Sequence, residues 1–180
     1  MAIFYSNHFA PDAQSITAKQ SSYRASVDLS HARVRKKIAK INMDLTGAAD
    51  DDEFVLAKFK SSDVLYGIWG GWDDGGTALV LDVGLSPVNP DGTPGTSLDP
   101  NLYASGLDGA AAADRLEAFT DGALGGSSRG LPIWESYSGE GPGALTVDPK
   151  VEYYIVAVAT TALTTADNDY YFEFEYTSGD

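Results

Sequence analysis

Any chemistry in this chain would have to come from carboxylates and hydroxyls. There are 26 Asp and Glu residues, two histidines (His8 and His31) and no cysteine. The missing thiols remove cysteine nucleophiles, disulfide frameworks and thiolate zinc sites together. Both histidines fall in the first 31 residues, where the sequence has little pattern. They give no support to a serine–histidine triad and offer little imidazole to a transition metal. Glu173 and Glu175 could share a strand face about 7 Å apart, as a glycosidase carboxylate pair would. An outward-facing polar stripe accounts for them equally well.

Acidic clusters at 50–53 (DDDE), Asp73-Asp74, Asn89 with Asp91, and 167–169 (DND) could offer oxygens to calcium. None has the spacing of a helix–loop–helix calcium loop, so solvated turns are the better reading. The glycine clusters GGWDDGG (70–76), GGSSRG (125–130) and GEGPG (139–143) lack the Lys-Ser/Thr of a phosphate loop and the GxGxxG of a dinucleotide site. They read as turns. The sequence therefore predicts no enzyme, with no catalytic residue, cofactor or metal site.

Two features point to binding instead. Trp69, Trp72 and Trp134, with ten tyrosines, could make a sugar-stacking platform, although large aromatics in a domain of this size more often fill a core or a subunit contact. Arg33, Arg35, Lys36, Lys37 and Lys40 form a dense basic run. It reads either as a strand edge protected by charge or as an electrostatic anchor onto an acidic partner.

The net charge of −14 sharpens the second reading, because residues 1–60 carry +2 and residues 61–180 carry −16. An acidic body repels phosphates, which disfavours general nucleic-acid binding. No window approaches the roughly 18 apolar residues of a membrane helix, and MAIFYSNHFAPDA lacks the basic start of a secretory signal.

These residues need elements to hold them. Residues 1–30 show no sustained period and read as an extended N-terminal arm, with one domain over 31–180. HARVRKKIAKINMDL fits both helix and strand templates, and a strand is favoured by the β-like segments that follow. Those are 54–59, 64–72, 77–85, 131–137, 151–161 and 169–176, rich in β-branched and aromatic residues and bounded by turn chemistry. In the last, Tyr170, Phe172, Phe174 and Tyr176 alternate with Tyr171, Glu173 and Glu175, the pattern of a half-buried strand. Val151 to Ala159 is apolar on both faces, as in a covered central strand. Ala-rich 109–119 predicts one short helix. The fold class is all-β, an antiparallel β-sandwich of jelly-roll type with long connecting loops.

Three stretches carry a resemblance. They are FVLAKFKSSDVLYGIWGGWDDGGTALVLDVGL (54–85), DPNLYASGLDGAAAA (99–113) and DPKVEYYIVAVATTALTTADNDYYFEFEYTSG (148–179). Together they resemble the tailed-bacteriophage structural proteins that decorate or cement the head. The resemblance implies a non-enzymatic virion component on the outer surface of the capsid. Its partners would be the major capsid protein and copies of itself, as a dimer or trimer, without nucleic acid or membrane. Arg33, Arg35, Lys36, Lys37 and Lys40 are the expected contact residues, from the charge polarity. The competing expectations are a carbohydrate- or receptor-binding sandwich and a head–tail connector subunit.

Overall fold

Four strand pairs nest one inside another in the computed structural model, which describes residues 34–43, 52–73, 80–109, 112–119, 129–138, 145, 147–161 and 168–178. The strands are β1 (Arg35–Met43), β2 (Glu53–Lys60), β3 (Val64–Trp72), β4 (Val80–Pro87), β5 (Asp99–Asp108), β6 (Ala113–Glu117), β7 (Glu152–Ala159) and β8 (Asn168–Thr177). β1 pairs with β8, β2 with β7, β3 with β6 and β4 with β5, all antiparallel. The chain is thus one long hairpin. Further pairing of β3 with β8 and β4 with β7 rolls it into two sheets, ordered β1-β8-β3-β6 and β2-β7-β4-β5. This is the jelly-roll sandwich that the strand pattern predicts.

The alternation in β8 sets the core. Tyr170, Phe172, Phe174 and Tyr176 turn inward with Leu65, Ile68 and Trp72 of β3, against Leu81, Val83 and Leu85 of β4 and Ile155, Ala157 and Ala159 of β7. β7 is an inner strand buried on both faces, as its composition predicts, because Val156 and Val158 on its outer side are also buried. The Tyr154 hydroxyl donates to the Gly92 carbonyl at 2.8 Å and ties the loop after β4 over that outer side. β1 is a strand at a sheet edge, which agrees with the strand reading of its ambiguous sequence.

Three local expectations are corrected. The segment 131–137 is not a strand; Ile133–Ser138 forms the short helix α1. Pro132 precedes it and its carbonyl accepts from the Glu135 and Ser136 amides, while Ile133, Ser136 and Tyr137 turn inward at helical spacing. Conversely, the helix expected over 109–119 is β6, whose pairing with β3 overrides the helical propensity of ADRLE. β5 was not anticipated, because its Pro, Asp and Gly residues read as loop. Its register against β4 shifts twice, and Asp99 and Pro100 cross closely over Gly84.

Residues 35–180 make up one compact unit. The expected arm, both histidines and Arg33 lie outside the described residues. Among the described residues no helix is long and apolar enough to cross a membrane.

Candidate interaction surface

The outward face of the β1-β8-β3-β6 sheet collects several of the residues that the sequence singles out. Registers set this arrangement: Lys36 faces Glu175, Ile38 faces Glu173 and Lys40 faces Tyr171 across β1 and β8, while Trp69 faces Glu173 across β3 and β8. Glu173 is the hub. Its carboxylate accepts from Lys36 Nζ at 2.6 Å and from Arg115 at 3.2 Å, and Lys36 also reaches Glu175 at 3.0 Å. The Arg115 guanidinium in turn lies 4.5 Å from the centre of the Trp69 ring. Lys40 pairs with Asp169 at 2.6 Å, and Arg129 pairs with Glu117 on β6.

Glycines make this face flat. The Trp69 indole lies over Gly67 and the Tyr171 ring over Gly71, where a Cβ would overlap each ring. Ile38 stands among the ion pairs with 71% of its surface exposed.

The electrostatics argue against carboxylate chemistry here. A general acid needs a raised pKa, whereas the hydrogen bond from Lys36 holds Glu173 below the ordinary carboxylate range. The same pairing raises Lys36, and the bond to Asp169 raises Lys40. Asp91 is also held low, by the Thr93 hydroxyl and amide, which is the turn geometry expected for that acidic cluster. Among the described residues no group of three or more acidic or histidine side chains could hold a metal ion.

The three tryptophans do not share a platform. Trp72 is in the core, stacked on Tyr170 at 6.1 Å, with its indole N–H donating to the Asp108 carbonyl at 3.1 Å. Trp69 is on the outer face under Arg115, and Trp134 belongs to α1.

The basic run is split by the strand's alternation. Lys36 and Lys40 lie outward in ion pairs, and Lys37 points to the sandwich edge, donating to the Lys58 carbonyl. Arg35 begins β1, exposed and without a carboxylate partner among the described residues. Sequence reasoning missed two further cations, Lys60 and Lys150, which flank a groove of about 420 Å³ between the β2–β3 turn and the start of β7. Ninety residues separate them, so only the β2–β7 register brings them together.

No protein-family model and no curated protein matches the sequence. Solved structures do match. A chain of the cyanophage Pam1 capsid asymmetric unit aligns with 82% of this chain and 86% of its own length, at TM-score 0.50 and 18% identity. A chain of the capsid of Ralstonia phage GP4 aligns over the same shares, at TM-score 0.52 and 18% identity. What they share is the fold.

Proposed function

We propose that this protein is a non-enzymatic structural component of a phage virion, a decoration or cement protein that binds the outside of the head and stabilises the shell. The observation that carries the reading is the jelly roll it has in common with two phage capsid chains, matched over most of both lengths. The surface chemistry supports it. An ion-paired outer sheet face suits contact with another protein better than turnover of a small substrate.

The residues before β1 supply reach toward neighbouring capsid subunits, and the cations of the basic run, Arg35 foremost, meet the acidic surface of the major capsid protein. Many weak contacts repeated over a lattice then add up to shell stability. Copies of the protein associate as a small oligomer at each position.

Co-sedimentation with empty heads lacking the protein tests the reading. Saturable binding at a copy number comparable to that of the capsid subunits supports decoration. Saturation at the few copies of a single vertex indicates a connector, and no binding overturns the proposal. Deleting residues 1–33 leaves β1 whole and isolates the part played by the preceding segment, whereas a deletion through residue 40 would strip most of that strand from β8.

A further inference from the structure

We infer that the groove between Lys60 and Lys150 is a docking site for an acidic segment of a protein partner. The argument begins with how this acidic chain uses its few cations. Lys36, Lys40, Lys58, Arg115 and Arg129 are committed to carboxylates within the fold, and Lys37 to a carbonyl and two rings. Besides Lys37, the cations without an acidic partner among the described residues are Arg35, Lys60 and Lys150.

All three lie toward one end of the sandwich. Lys60 closes β2, opposite Glu152. Lys150 precedes β7, and Arg35 starts β1 opposite Tyr176, which pairs with Leu65 just beyond the β2–β3 turn. Among the described residues, three cations without an ion pair thus gather at one end of the fold.

Of the groove's own acids Glu152 is spent on an ion pair, while Asp148 accepts from neutral donors and keeps its charge at the groove wall. Asp148 accepts from the Ser61 hydroxyl at 2.5 Å and the Lys150 amide at 2.8 Å, Asp63 accepts from the Lys60 amide at 2.9 Å, and Glu152 pairs with Lys58 at 2.9 Å. These bonds also hold Lys150 at φ 54°, a left-handed conformation that lysine rarely adopts. The backbone at the rim lysine is therefore set in place before any ligand arrives. Between the lysines, Val151 exposes apolar surface beside the Ser62 hydroxyl. Two separated ammoniums and an apolar patch match the carboxylates and methylenes of a peptide. A nucleic acid would need a longer cationic track and would meet the acidic body on either side. The inference does not depend on the virion reading.

The test is titration of the full chain with a short acetylated peptide of alternating glutamate and serine. The same peptide with glutamine for glutamate, and a single-stranded oligonucleotide, serve as controls. The expected result is saturable binding of the glutamate peptide that weakens as salt rises. Lys60→Glu with Lys150→Glu should weaken it by about tenfold or more. A milder pair, Lys60→Gln with Lys150→Asn, removes the charge and keeps a residue tolerant of the left-handed backbone, so misfolding cannot imitate the loss. The inference is overturned by no binding, by equal binding of the glutamine peptide, by binding that survives both double variants, or by tighter binding of the oligonucleotide.

Discussion

The Lys37 ammonium lies 4.0 Å from the centre of the Phe59 ring and 5.0 Å from that of Tyr176. It also donates to the Lys58 carbonyl, so one side chain joins the edge strands of the two sheets and closes that side of the sandwich. Its stem covers the ring edges while its charge is held partly out of water.

Burial lowers the Lys37 pKa, which fixes the sign of a pH effect. Between that lowered value and the ordinary 10.5 the unfolded chain binds more protons than the native one. The contribution of Lys37 to stability therefore rises with pH through this window. Lys36, Lys40 and Lys58, raised by their carboxylates, do the opposite above 10.5. Urea unfolding of wild type and Lys37→Met across this range should show the rise in wild type and its loss in the variant. At neutral pH Lys37→Met should change stability by less than about 1.5 kcal/mol, and Lys37→Glu should cost about 1–3 kcal/mol.

Two glycines should respond differently to the same added methyl. At Gly84 a Cβ would overlap the backbone of Asp99 and Pro100, which belongs to β5 and cannot swing away. Gly84→Ala should cost about 1–3 kcal/mol or more. At Gly67 the obstacle is the end of the Trp69 indole on the outer face. Gly67→Ala should cost less than Gly84→Ala while shifting Trp69 emission. Chemical denaturation with fluorescence detection reads both, and an equal cost would show that the β5 crossing yields as easily as a side chain.

The strands legible in the sequence are those in which side-chain type and alternation agree, and β8 is the clearest case. Its four inward aromatics and its outward glutamates follow directly from a period of two. β5 and β6 were not legible because neither has strand composition; each is a strand through its partner, β4 for one and β3 for the other. In α1 the apolar spacing fits both templates over so few residues, and only Pro132 hints at a helix start. The basic run was visible as a charge feature, but its division into paired Lys36 and Lys40, wedged Lys37, and Arg35 without a carboxylate partner among the described residues depends on registers with β8. Lys60 and Lys150 had no local signal at all.

Acid should find the outer face of the β1-β8-β3-β6 sheet through Glu173. Its pKa is lowered, first by the Lys36 hydrogen bond and also by Arg115. The stabilisation is present above the ordinary 4.5 and is lost as pH falls through the lowered native value. Glu173→Gln should flatten the acid limb of the stability profile below pH 4.5 relative to wild type. With half of the Lys36 side chain in water, a Lys36/Glu173 double-mutant cycle should give a small favourable coupling that shrinks in high salt. No change in the acid limb would assign acid sensitivity to other carboxylates.

Trp72 and Trp69 lie three residues apart on one strand yet should behave as residues of different kinds. The Trp72 ring packs on Tyr170 and Phe172 in the core, so Trp72→Ala should cost about 3–5 kcal/mol by urea unfolding. Trp72→Phe keeps most of the packing and gives up the bond to the Asp108 carbonyl, which water can still reach, and should cost about 1–2 kcal/mol. Trp69→Ala removes a ring already on the surface and should cost less than either, while freeing Arg115 from its stacking contact. A glycan-stacking role would require Trp69 to present a free ring face, which means displacing Arg115. Arg115→Ala therefore separates the readings: it should leave Trp69 more accessible to an aqueous quencher without creating glycan affinity, and glycan binding gained in that variant would restore the carbohydrate reading.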